Sequence, residues 1–455
     1  MRRGRVSNIN CTAALVIVAG ILFPASVRAQ RPVDGARPIT LAEAIREARH
    51  NAPAAIQARG AERTSRAAVR SAYGAFIPSF SVNLGTTHTY SANPTTIVNT
   101  QTGERLSGAQ TYSSGLSANL TLFDGGRNLY NLGSARASVT AAEASQIASD
   151  YSVALDVSQQ YFNALAARES YQAAQAQLVE AQQQQTAAVK RVRAGVATKS
   201  DSLRTLIEVG NAQLAILQAQ ADLRAANATL TRLIGSQETV TASTVDTATA
   251  PIDSAALDTT RLTVLASQGP AVRQAQANYA AARTARRAAR APYLPTITAS
   301  YSRNGSGIDP QFGFSNSPYS YNGRLGFSLS YPLFNGFTRE ENVVRADVAE
   351  DNAAAQFRDA QLLAQQSLVQ YVDALRTGEA RMAVQQVSVI AAQEDLRVQQ
   401  QRYQAGASTL LDVITSQRSL RDAQSALIQA RFDARVARAR LESLIGQSLS
   451  GSTLP

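Results

Sequence analysis

Apolar and polar residues alternate with period two in four short segments of this chain. In the first, Phe80, Val82, Leu84, Thr86, His88 and Tyr90 share one parity, and Ser79, Ser81, Asn83, Gly85, Thr87 and Thr89 take the other. The second sets Tyr112, Leu116, Ala118, Leu120 and Leu122 against Ser113, Gly115, Ser117, Asn119 and Thr121. The third has Ile297, Ala299 and Tyr301 among Thr296, Thr298, Ser300 and Ser302, and the fourth alternates Tyr321, Leu325, Phe327, Leu329, Tyr331 and Leu333 with Asn322, Arg324, Gly326, Ser328 and Ser330. This spacing predicts strands with one apolar and one polar face. It suits a barrel wall with Phe80, Leu84, Tyr112, Leu120, Leu325, Phe327, Leu329 and Tyr331 toward lipid, and equally a half-buried soluble hairpin.

Between the strand segments the pattern changes. No proline interrupts residues 128–193 or 339–404, and their Ala, Gln, Arg and Ser carry scattered Leu, Val and Tyr in narrow seams, not a broad apolar face. Each stretch predicts one helix roughly 100 Å long at 1.5 Å per residue. A rod of that length exceeds any compact domain and must be wet on two sides, as in a coiled-coil stalk or a ring of helices around a water-filled bore.

The order of elements recurs. Asn51-Ala52-Pro53 and Gln268-Gly269-Pro270 are 217 residues apart, as are Phe76-Ile77-Pro78 and Tyr293-Leu294-Pro295. Leu122-Phe123-Asp124-Gly125 and Leu333-Phe334-Asn335-Gly336 are 211 apart, and so are Arg193-Ala194-Gly195 and Gln404-Ala405-Gly406, and Leu233-Ile234-Gly235 and Leu444-Ile445-Gly446. Tyr161-Phe162-Asn163-Ala164-Leu165 against Tyr371-Val372-Asp373-Ala374-Leu375 gives 210. The tandem repeat favours the membrane wall over a soluble hairpin. It divides the chain into a first repeat at 30–235, with a hairpin at about 78–123, and a second at 261–446, with a hairpin at about 295–334. Each repeat reads helix, hairpin, long helix, turn, helix. Residues 236–260, rich in Ser, Thr, Ala and Asp, read as an irregular linker, and 447–455 as a short tail.

Residues 1–29 stand apart. Arg2, Arg3 and Arg5 precede an apolar run from Ala13 to Phe23, too short to span a bilayer, with small residues around Val27-Arg28-Ala29: the pattern of an export signal. Its removal would take Cys11, the one cysteine, and four arginines, leaving a net charge of +7 of the chain's +11. With 455 residues, 17% of them charged, and basic residues mixed among acids, the charge reads as solvated surface and not as a nucleic-acid site. One cysteine and two histidines, His50 and His88, leave no constellation for metal binding, for a cofactor or for nucleophilic or acid–base catalysis.

At the far end of each long helix the chain turns through residues 195–201 and 406–412. Gly195 and Gly406 suit left-handed helix ends, and Thr198 followed by Asp201, like Thr409 followed by Asp412, suits a capping box that starts the returning helix.

Taken together, the signal, the repeat, the hairpins, Leu122-Phe123-Asp124-Gly125-Gly126 with its partner Leu333-Phe334-Asn335-Gly336, and the Arg-x-x-x-Gly-x-x-Thr-x-x-Asp tip at 191–201 resemble the TolC family of outer-membrane efflux channels over nearly the whole mature length. The resemblance implies an α+β membrane protein whose two hairpins contribute four strands to a trimeric 12-stranded outer-membrane β-barrel, with long antiparallel helices forming a periplasmic α-barrel. It implies an exit duct of a tripartite efflux or type I secretion system, partnered by a periplasmic adaptor, an inner-membrane transporter and outer-membrane lipid. Adaptor docking would fall on Arg191, Gly195, Thr198, Arg402, Gly406 and Thr409, and a gate with lumenal selectivity on Asp201 and Asp412. Two family gate positions are altered, an arginine falling on Ser408 and an acid on Thr415. With nine residues after Gly446, the equatorial belt is expected to draw mainly on the linker. The rival class, a periplasmic coiled-coil adaptor or stalk protein, would need one helical hairpin flanked by small β-domains, whereas here the helices come twice.

Overall fold

The structure, a computed structural model, describes residues 36–88, 97–98, 105–106, 110–243, 258–307 and 320–449. The export-signal segment, Tyr90 and residues 450–455 of the tail lie outside them. The elements are β1 (Arg37–Ile39), α1 (Leu41–Asn51), α2 (Pro53–Gly74), β2 (Ser79–His88), β3 (Ile97–Val98), β4 (Arg105–Leu106), β5 (Gln110–Phe123), α3 (Arg127–Arg193), α4 (Lys199–Ile234), β6 (Val240–Ala242), α5 (Thr259–Ser267), α6 (Pro270–Ala289), β7 (Thr296–Gly307), β8 (Ser320–Ser330), α7 (Thr338–Gln404) and α8 (Leu410–Ile445).

The two rods are unbroken helices of 67 residues each, α3 and α7. In the half nearer the sheet the helices pack in the order α2–α3–α6–α7, and in the half nearer the tips α4–α3–α8–α7. The result is a single layer of helices, so each rod buries only a seam and stays wet on two sides. No described helix is long and apolar enough to cross a membrane.

The first helix of each repeat is broken in two, at Pro53 and at Pro270, where the repeat pattern predicts one helix. Proline lacks the N–H that a continuing helix would use, and both residues take the first helical position, where that loss is harmless.

Two apolar cores clamp the layer at its middle. In one, Val153, Val157, Tyr161 and Leu165 of α3 meet Ile45 of α1, Leu230 and Ile234 of α4, and Ile39 and Val240. In the other, Leu368, Val372 and Leu375 of α7 meet Leu262 and Ala266 of α5, and Leu441 and Ile445 of α8. The buried ladder fixes the repeat register: Val153, Val157, Tyr161 and Ala164 answer Ala364, Leu368, Val372 and Leu375, all at 211. The offset of 210 between Tyr161 and Tyr371 is therefore a coincidence of residue type, because Val372 occupies the position of Tyr161. The buried Tyr161 hydroxyl lies 3.1 Å from Ile39 O and 3.0 Å from Ser243 O, pinning both chain segments to α3.

The stretch expected to be an irregular linker is partly regular. Val240–Ala242 forms β6, which pairs in parallel with β1, and α5 begins at Thr259, N-capped by Asp258. The segment before α1 and the linker are thus joined by this pairing. Three residues, with only Val240 and Ala242 buried, are too few to stand out from a Ser/Thr-rich sequence.

The strand segments form one antiparallel sheet in the order β2-β5-β7-β8. A bulge between Thr121 and Phe123 alters the expected alternation: Phe123, not Leu122, pairs with Ile297. Leu122 is thus the extra residue that re-aims β5 toward α3. Strand β8 ends at Ser330, so Tyr331 keeps the apolar parity just beyond the ladder and Leu333 lies in the turn before α7.

Candidate functional site

Two regions hold the residues singled out by the sequence, the sheet and the helical tips.

Cross-strand register gathers the sheet's side chains onto two faces of opposite character near the helices, while toward the far end the apolar face also carries Arg303, in the rung Val82–Leu116–Arg303–Gly323, over the Tyr321 ring. Rung by rung, one face presents Phe80–Ala118–Tyr301–Leu325, then Leu120–Ala299–Phe327, then Ile297–Leu329. Leu84 and Tyr112 fall on the same face, so the eight positions expected to face lipid share one side, with Tyr331 continuing its parity. In the protomer no described residue covers this face at its edges: Phe80 is 71% exposed, Leu325 67% and Phe327 70%. Tyr112 and Leu120, on the inner strand β5, are half-buried among their neighbours. The other face is built mostly from Ser, Thr, Asn and Gly, tied by hydroxyl pairs such as Ser81 Oγ with Ser117 Oγ at 2.6 Å and Thr298 Oγ1 with Ser328 Oγ at 2.7 Å.

The sheet joins the helices through a cluster of exposed aromatics. Phe76, Tyr293, Tyr331, Phe334 and Phe337 are all exposed, and Phe334 meets Phe337 edge to face at 5.4 Å. Arg339 lies 4.2 Å above the Tyr293 ring. Phe337 holds a left-handed backbone, φ 63°, at the place where the first repeat has Gly126, φ 82°. A bulky residue there carries strain of order 1–2 kcal/mol.

At the tips, the turns close as the sequence predicts. Gly195 and Gly406 sit at φ 74° and 76°, in the left-handed region that glycine enters without a Cβ penalty. Thr198 caps α4: Asp201 N donates to Thr198 Oγ1 at 3.3 Å, and Thr198 N donates to Asp201 Oδ2 at 3.1 Å. Thr409 and Asp412 repeat this at 3.3 and 2.8 Å. Ser408 Oγ adds a contact of 3.0 Å to Asp412 Oδ2. The Thr409 N–H, the Thr409 and Ser408 hydroxyls and the nearby Arg402 hold the Asp412 carboxyl below the usual carboxylate range. Thr415 bonds back to Leu411 O at 2.9 Å and contributes no charge. Arg402 reaches Ala407 O at 3.5 Å. Arg191 joins the two turns, donating to Tyr403 O at 3.2 Å while its guanidinium lies 4.3 Å from the centre of the Tyr403 ring.

Sequence reasoning missed Tyr403, whose ring under Arg191 links the tips, and a groove of about 270 Å³ behind them. Gln177, Glu180, Glu208, Gln417 and Arg421 are among its lining residues. Arg418 pairs with Glu208 at 2.8 Å, and Gln417 Nε2 donates to Glu180 Oε1 at 3.1 Å. A polar stripe on long helices otherwise reads as solvent surface, so spacing alone gives no signal. Among the described residues no group of His, Cys, Asp and Glu could hold a metal ion.

The profile of the outer membrane efflux protein family matches residues 44–236 and 262–447. The pyoverdine export outer membrane protein OpmQ of Pseudomonas aeruginosa is 31% identical over 341 residues, 74% of this chain and 68% of its own. The outer membrane protein VceC of Vibrio cholerae superposes with a TM-score of 0.71 at 18% identity, over 90% of this chain and 96% of its own. The CmeC outer membrane channel of Campylobacter jejuni does so at 0.73 and 16%, over 89% and 85%. The family match covers most of the chain, the match to OpmQ spans 68% of that protein, and the chain belongs to the outer membrane efflux protein family.

Proposed function

We propose that three copies of this chain close into one continuous conduit, an outer-membrane β-barrel of twelve strands above a periplasmic barrel of helices. In this reading it passively conducts solutes delivered by an inner-membrane transporter through a periplasmic adaptor. The family is one of transport channels and not of enzymes, and this chain is an outer-membrane protein extending into the periplasm. The observation that carries the trimer is the sheet itself. Among the described residues β2 and β8 each have a strand neighbour on one side only. Unpaired backbone groups in hydrocarbon cost several kcal/mol each, so a four-stranded sheet with an apolar face needs further strands to enter a bilayer. Three copies supply an even number of strands within the known range for such barrels.

In this arrangement Phe80, Leu84, Tyr112, Leu120, Leu325, Phe327, Leu329 and Tyr331 face lipid, and the aromatics around Tyr293 and Phe334 sit at the inner interface. The hydroxyl face lines the bore. At the other end Gly195, Thr198, Gly406 and Thr409 give the rigid turns on which the adaptor docks, flanked by Arg191 and Arg402. Asp201 and Asp412 serve twice, capping their helices and setting a negative potential at the narrow mouth. Light scattering of the detergent-solubilised protein tests the assembly. A mass of three chains is expected, and a stable monomer would refute it.

A further inference from the structure

The polar face of the sheet holds one charged side chain among the described residues, Arg324. Its rung reads Ser81–Ser117–Ser302–Arg324 across the four strands. Three serines and one arginine in one cross-strand row is unusual, because every other described position on this face is Ser, Thr, Asn or Gly. Arg324 is exposed, and no acid among the described residues pairs with it, whereas Arg286, Arg418 and Arg431 all meet carboxylates. An arginine without a carboxylate on a wall of hydroxyls offers its five N–H donors to whatever passes.

We infer that Arg324 forms a three-membered cationic ring inside the strand barrel, a filter that favours anionic cargo bearing carboxylate or phosphate groups. The inference rests on the trimeric barrel proposed above. Twelve strands spaced about 4.8 Å and tilted about 40° give a backbone radius of roughly 12 Å. Arginines of about 6 Å reach then bring three guanidinium groups to about 6 Å from the axis. In a water-filled bore their summed potential enriches a monovalent anion on the axis roughly fivefold at 0.15 M salt and roughly twentyfold at 0.01 M. The ring stands roughly 20 Å of strand, six residues, above the helix end of β8. An acidic mouth at the tips and a basic ring in the wall would therefore act in series, and the second would draw anions that had passed the first toward the exterior.

The test reads the local potential chemically. Ser302 shares the rung with Arg324, and the one native cysteine is Cys11, so a Ser302→Cys chain in native outer membrane reports from beside the ring. The rate ratio for an anionic over a cationic membrane-impermeant methanethiosulfonate is measured there with Arg324 intact, with Arg324→Gln and with Arg324→Lys. The ratio should fall about tenfold or more at 0.15 M salt in the Gln variant and further at 0.01 M, and recover with Lys. A ratio unchanged by Arg324→Gln, with the introduced thiol readily modified, overturns the ring and leaves the barrel standing. If the thiol of the Ser302→Cys chain resists both reagents while that of a Leu325→Cys chain reacts, the wall itself is inside out and both readings fail.

Discussion

Placing an arginine at Phe327 and, separately, at Ser328 tests the two faces of the sheet within adjacent residues. Phe327 lies on the apolar face opposite Ala299, between Leu325 and Leu329, and is 70% exposed in the protomer. In a barrel wall that exposure is contact with acyl chains, and an arginine near the midplane costs about 2 to 4 kcal/mol. The three copies of a trimer multiply this to about 6 to 12 kcal/mol per assembly, comparable with the whole stability of an ordinary domain. Ser328 points the other way, and its hydroxyl meets Thr298 Oγ1 at 2.7 Å. Arginine there sacrifices that hydrogen bond, about 0.5–1.5 kcal/mol, and extends into water. The assay is the fraction of chain recovered from outer membranes as assembled oligomer, with the urea midpoint of refolding into vesicles as the quantitative readout. Phe327→Arg should abolish or sharply reduce assembly, and Ser328→Arg should lower it slightly. Equal tolerance at the two positions would refute the assignment of faces.

The tips and the sheet–helix junction carry three further expected outcomes. Asp412→Asn keeps a side-chain acceptor for the cap but removes charge from the mouth, so reversal potentials in a salt gradient should show reduced cation selectivity, most at 0.01 M salt, where the Debye length is about 30 Å; unchanged selectivity would confine Asp412 to capping. Because the Asp412 carboxyl is held below its ordinary range, its stabilisation of the turn is present above about pH 4 and is lost as pH falls through the lowered value, so amide protection at Thr409 and Asp412, relative to the unstructured exchange rate at each pH, should be constant down to about pH 5 and fall only below the usual carboxylate range. Gly125→Ala should destabilise by more than about 1 kcal/mol in thermal unfolding, since a Cβ would lie 2.4 Å from Ala291 O at φ 71°, whereas Gly133→Ala, inside α3 with nothing within 4 Å, should stabilise by about 0.5–1 kcal/mol.

The sequence speaks most clearly where one physical constraint acts alone. Period two in Leu325, Phe327 and Leu329 is legible because that side of the strand is apolar and uncovered in the protomer, and the rods at 127–193 and 338–404 are legible because no proline falls inside them. The capping boxes at Thr198 and Thr409 are local chemistry, readable within four residues. What stays hidden depends on partners remote in sequence. The β1–β6 pairing joins residues about 200 apart over three residues each. The bulge at Leu122 is set by where β5 must meet α3. Arg191 finds Tyr403 only because the two tips lie side by side, and Arg324 matters only once register sets it against three serines.

The claim on which the account depends is that β2 of one copy pairs with β8 of the next and that the ring closes at three. Cysteine pairs stepped along the two edges, one at a β2 position such as Asn83 and one at a β8 position such as Asn322, test it by oxidation in native outer membrane, since Cys11 lies in the segment read as the export signal. The account predicts that one register of the series gives a covalent ladder of one, two and three chains, with the three-chain species dominant and nothing above it. Monomers cross-linked only within themselves, or a ladder continuing past three, would contradict it.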